Sequence, residues 1–70
     1  MTVAFSTIKV LDGFTLKTIE TLDMEHNKSN IRKVALDYEK HYGKLMSIDY
    51  SSDMMAIVRY YDGQVIGISV

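Results

Sequence analysis

The sequence predicts a small α+β fold of order β-β-α-β-β-β, an antiparallel sheet with one amphipathic helix packed on one face. Three observations predict it. Asp-Gly occurs at Asp12-Gly13 and again at Asp62-Gly63, each time between runs rich in β-branched or aromatic residues, the strongest short-range signal for a hairpin. Between the hairpins, Ile31, Val34, Ala35, Tyr38 and Tyr42 recur at i, i+3, i+4, i+7 and i+11, one stripe of a 3.6-residue period. The chain has no proline, so no ladder donor is lost and no helix is interrupted.

Taken in order, the first element is a hairpin. A two-residue turn at Asp12-Gly13 pairs Leu11 with Phe14, then Lys9 with Leu16, Thr7 with Thr18, Phe5 with Glu20 and Val3 with Leu22. Register follows turn length, and this one gathers Val3, Phe5, Leu11, Phe14, Leu16 and Leu22 on the expected inner face. The other face keeps Ile8, Val10 and Ile19 among polar residues.

The helix comes next, in "NKSNIRKVALDYEKHYGK". Asn27 or Ser29 is its expected N-cap, Gly43 fits the position after its end, and Lys40, His41 and Lys44 suit the negative end of its dipole. Leu36 is the one large apolar residue off the stripe. "KLMSIDY" then alternates as a strand, with Met46, Ile48 and Tyr50 on one face, and Ser51 to Asp53 form a polar turn.

A two-residue turn in the last hairpin pairs Tyr61 with Gln64, Arg59 with Ile66, Ile57 with Ile68 and Met55 with Val70. That face is expected to be core. The opposite face pairs Tyr60 with Val65, Val58 with Gly67 and Ala56 with Ser69, with Met54 beyond. It is apolar too, which a hairpin with one solvated face does not need. Gly67 inside a strand suggests a bulge or a close approach by another group. One helix covers only part of a five-stranded sheet, so the far side meets either water or a partner.

Seventy residues (1–70) make a single domain, 47% apolar and 24% charged, the balance of a globular chain. Domains this small commonly gain stability from disulfides, a metal or oligomerisation, and the absence of cysteine removes the first. The N-terminal stretch lacks the basic and long apolar regions of a signal peptide, and no apolar run reaches the ~18 residues that span a bilayer. The expected location is cytoplasmic, with no membrane partner. A net charge of −1 disfavours a protein whose main affinity is for nucleic-acid phosphates.

Catalytic chemistry has no visible machinery. Asp23, Glu25 and His26 are too close in sequence to enclose one ion, and no second cluster completes a ligand set; no metal and no cofactor are expected. His41, in the last helical turn, suits the dipole. No nucleophile elbow or glycine-rich phosphate loop is present. The chain is therefore expected not to be an enzyme.

Lys28, Arg32, Lys33, Lys40 and Lys44 cluster around the helix, interrupted by Asp37 and Glu39. They read as a solvated face and, secondarily, as a basic patch. The candidate interaction surface is Met54, Val58, Tyr60, Val65 and Gly67 with Tyr50, because Tyr and Met bury much area at small entropic cost.

The leading expectation is a small non-catalytic protein-interaction module, homo-oligomeric and acting as an inhibitor or regulator by occupying a partner protein. In size and architecture the chain resembles small phage- and mobile-element-encoded proteins that bind and inhibit host proteins. The alternative is an oligomer that binds or sequesters a small ligand or nucleotide; a third reading is a nucleic-acid binder using the basic helix.

Overall fold

A computed structural model describes residues 6–70. The chain runs through β1 (Ile8–Asp12), β2 (Thr18–Leu22), α1 (Lys28–Asp37), α2 (Glu39–Tyr42), β3 (Leu45–Ser52), β4 (Met55–Tyr60) and β5 (Val65–Ser69). The five strands form one antiparallel sheet of order β2-β1-β5-β4-β3. Val3 and Phe5, with their expected pairings, lie outside the described residues.

The helical segment carries the chain from one edge strand, β2, to the other, β3, and covers one face of the sheet. Asn27 caps it, accepting a 2.8 Å hydrogen bond at Oδ1 from the Asn30 amide. It bends at Tyr38, whose carbonyl accepts from both the His41 and Tyr42 amides at 3.0 Å. The predicted stripe is the buried one. Ile31, Val34, Ala35 and Tyr38 pack against Ile8, Val10, Ala56, Val58, Tyr60, Ile66 and Ile68, with Leu22, Met24, Tyr42, Leu45 and Ile48 around them, while Leu36 stays exposed. Apolar side chains removed from water contribute about 1.5–3 kcal/mol each. The phenol of Tyr60 keeps a polar handle within that core: its O–H donates to the Ala35 carbonyl at 2.6 Å.

Both hairpin turns are longer than two residues, and this corrects the expected faces. In the last hairpin the Tyr60 amide donates to Gln64 O at 2.9 Å, the Gly63 amide to Tyr60 O at 3.1 Å, and Gly63 sits at φ 98°. A turn closed by a glycine at positive φ makes a three-residue loop, Tyr61–Gly63, with a bulge. Asp62 Oδ1 holds it by accepting from the Gln64 amide at 2.8 Å. The strands therefore pair Ala56 with Ile68, Ile57 with Gly67, Val58 with Ile66 and Arg59 with Val65. A one-residue slip exchanges the two faces of a strand: on β4, Ala56, Val58 and Tyr60 go inward, and Met55, Ile57 and Arg59 outward.

The first hairpin departs further. Asp12 Oδ1 accepts from the Phe14 and Thr15 amides at 2.8 and 3.0 Å, and those two bonds hold the Asp12 carboxyl below its ordinary range. The Asp12 amide donates to Lys17 O at 2.8 Å, so the loop is Gly13–Leu16, ending with Leu16 at φ 63°. Ile8 then faces Leu22, and Val10 faces Glu20. Ile8 and Val10, not Leu11, are the core residues of β1, while Phe14 and Leu16 are 69% and 68% exposed. Gly13 does not supply the turn's positive φ. Its amide donates to Val65 O at 2.8 Å, and a Cβ there would lie 2.6 Å from that oxygen. The glycine is a close approach of the chain leaving β1 to β5.

Both edge strands are irregular. The β2 ladder shifts register between Val10 and Leu11, and the β3 ladder shifts on either side of Ser47–Asp49. Such bulges twist an edge away from further pairing.

Candidate functional site

With the helix on one face, the other face of the sheet is built from alternate residues of each strand. Across its middle run Thr18, Leu11, Gly67, Ile57 and Asp49, each opposite the next. One row toward the β4–β5 turn stand Val65, Arg59 and Ser47; one row the other way stand Thr21, Lys9, Ser69 and Met55. Leu11, Val65, Ile57 and Met55 are partly buried and contiguous around Gly67. The Met55 Sδ lies 3.3 Å from where a Gly67 Cβ would be, and the Leu11 Cβ at 3.8 Å. Gly67 thus leaves a hollow that a flexible thioether fills. Lys9, Arg59 and Asp49 are exposed at its border, so the apolar patch carries both signs of charge around it.

The six residues expected to form the contact surface are not brought together. Val58 and Tyr60 are fully buried under the helix, because the longer turn reverses their strand. Val65 and Gly67 lie on the open face. Met54, 53% exposed, belongs to the turn between β3 and β4. Tyr50 lies toward the helix, with the Lys28 Nζ 5.3 Å from its ring centroid. Its neighbours there are His26, Asn27, Ile31, Ser52 and Asp53. The feature that prompted the expectation, a last hairpin apolar on both faces, does exist. Its outward members are Met55, Ile57 and Val65, two of them assigned to the core from sequence. The signal for the correct register was Arg59, which the two-residue turn placed on the core face opposite Ile66. An unpaired guanidinium in a core is costly, and moving the register by one residue sends it to solvent.

Lys28, Arg32, Lys33, Lys40 and Lys44 are all exposed. At helical spacing Lys33 and Lys40 share one side, and Lys28 and Arg32 another. Glu39 faces its own end of the helix, where Oε2 accepts from the Leu45 amide at 2.8 Å. His26 is more than a loop residue: its Nε2 lies 3.1 Å from Ile68 O, pinning the segment before the helix to β5.

A second concave region, which sequence reasoning did not mark, lies between β2 and the C-terminal end of the helix. The Tyr38 O–H donates to Glu20 Oε1 across it. Burial and then this carboxylate push the Tyr38 phenol above its ordinary range. The Tyr38 and Tyr42 rings stack at 5.7 Å with 12° between their planes, and His41 lies against both. Sequence places these aromatics on the helix and Glu20 on the expected inner face, but its partner there is Val10 rather than Phe5, and the contact between Glu20 and Tyr38 is visible only in the structure.

The fold and these surfaces define a small α+β domain with, among the described residues, one covered and one open sheet face. Comparison of the chain with family models, with curated proteins and with solved structures found no match.

Proposed function

We propose that the protein is a non-catalytic interaction module that self-associates through the open face of its sheet. The observation that carries this reading is the contiguous group Leu11, Met55, Ile57 and Val65 around Gly67, on the face the helix leaves uncovered. The occupant is a second copy. Ile57 and Gly67 are direct cross-strand neighbours, a large side chain beside a position without one, over which the Met55 thioether lies. A two-fold axis running along the strands between β4 and β5 sets Ile57 of each copy over Gly67 of the other, as an isologous contact requires. The same operation sets Asp49 of each copy over Leu11 of the other, beside Lys9, so opposite charges meet at the rim.

The size of the face sets the expected strength. The four strands that overlap under this axis, ~4.8 Å apart and about 17 Å long, present a flat area of about 330 Å², against the roughly 800 Å² per partner of a standard interface. Association is therefore expected at high micromolar protein. Sedimentation of the natural chain should give a mass rising toward the dimer between about 10 μM and 1 mM, and the Ile57→Lys variant should stay monomeric over the same range. A mass that stays monomeric across that range defeats the reading.

A further inference from the structure

The groove between β2 and the end of the helix carries recognition chemistry that self-association through the open face does not use. Two adjoining hollows, of about 250 and 450 Å³, share Glu20, Tyr38 and His41. The first extends over Leu22, Val34, Asp37 and Lys40; the second over Ile19 and Tyr42. Two carboxylates against one ammonium leave the lining negative. Among the described residues, Tyr38 is the one donor to the Glu20 carboxylate. A carboxylate offers about four lone-pair sites, so most of this acceptor capacity is open to a ligand. The ring group of Tyr38, His41 and Tyr42 stands beside it.

A carboxylate flanked by aromatic rings is the pairing that suits a guanidinium. That group is planar, weakly hydrated, forks onto carboxylates and stacks on aromatic faces, whereas an ammonium is a compact, strongly hydrated charge. We propose that this groove binds a guanidinium group, with Glu20 as its charged partner, the exposed His41 ring as its stacking face and Tyr42, inclined at 62° to it, at the side. An inward-pointing charge on an edge strand also discourages strand addition, but that role requires neither the rings nor the hollows. Two sources present a guanidinium: a free small molecule, or an arginine in an extended peptide laid along the outer edge of β2, which no strand pairs among the described residues. A groove between an edge strand and a helix accepts extended segments in that way.

The test is a nuclear magnetic resonance titration of the full chain with N-acetyl-arginine-methylamide. The citrulline analogue serves as the neutral isostere, and a short extended peptide with one central arginine as the second arm. The arginine derivative should shift the signals of Glu20, Tyr38, His41 and Tyr42 saturably at millimolar concentration, with citrulline silent. Glu20→Gln, at an exposed position, should weaken binding about tenfold, the difference between a charge-assisted and a neutral hydrogen bond. A peptide that binds more tightly and protects the Thr18–Leu22 amides assigns the arginine to a partner chain; equal affinity assigns a free small molecule. No saturable shift at tens of millimolar, an equal response to citrulline, or binding untouched by Glu20→Gln overturns the proposal. An Ile57→Lys variant should bind the derivative unchanged, so the groove and the open face succeed or fail separately.

Discussion

Leu16 holds its backbone at φ 63° with its side chain 68% exposed, a conformation in which the Cβ of an L-residue crowds the following carbonyl at a cost of about 1–2 kcal/mol. Glycine avoids that crowding but loses more entropy on folding. Leu16→Gly is therefore expected to stabilise the chain by about 0.5–1 kcal/mol, read as a higher urea midpoint at unchanged slope. At the same scale, Tyr38 and Tyr60 are buried, and burial pushes both phenols above their ordinary range, with the Glu20 carboxylate adding to the effect at Tyr38. A group whose folded value is raised keeps its proton longer in the folded chain than in the unfolded one. Its contribution is complete below about pH 10, the ordinary tyrosine value, and is lost as pH rises above it. Stability should fall above about pH 10 by up to about 1.4 kcal/mol per pH unit for each tyrosine. Tyr60→Phe should flatten that decline.

The hairpins show where sequence reasoning succeeded and where it failed at the level of elements. Strands, helix and cap were legible, because period, cap chemistry and Asp-Gly turns are local signals. Turn length was not, because Asp-Gly serves loops of two, three or four residues. In the first hairpin the Asp12 carboxylate organises a wider loop and Gly13 is used against β5. Gly13→Ala is expected to destabilise the fold by about 1–3 kcal/mol, since the new Cβ meets Val65 backbone that cannot move aside cheaply. In the last hairpin the reversed faces make a sharp contrast. Tyr60→Ser empties a fully buried site and leaves the Ala35 carbonyl without its phenol donor, a loss of about 3–5 kcal/mol that should unfold so small a domain. Ile57→Ser, on the open face, should cost about 1 kcal/mol and remain folded. Thermal unfolding of the two variants separates these outcomes, and equal losses would mean that the assigned faces are wrong.

Across the whole molecule, the central neighbours β1 and β5 stand at opposite ends of the sequence, and the helix travels from edge to edge over one side. That arrangement leaves the other side to whatever covers it. If two copies cover each other, binding stabilises the folded state by mass action. The melting temperature should then rise with protein concentration for the natural chain and stay constant for Ile57→Lys, which places a charge in the middle of the patch. Differential scanning calorimetry at two concentrations makes that comparison directly.

The amino-acid sequence by itself determined the order of the elements, the buried stripe of the helix and the existence of a hairpin apolar on both sides, because each depends on residues close together in the chain. Which side of that hairpin became core was decided by tertiary structure. The Tyr60 phenol reaching Ala35 and the Gly13 amide reaching Val65 act between segments distant in sequence, and Arg59, the one local signal for this register, turns out to solvent with them. A shift of one residue in the turn satisfies all three at once, and with it the open face changes from Val58 and Tyr60 to Met55 and Ile57.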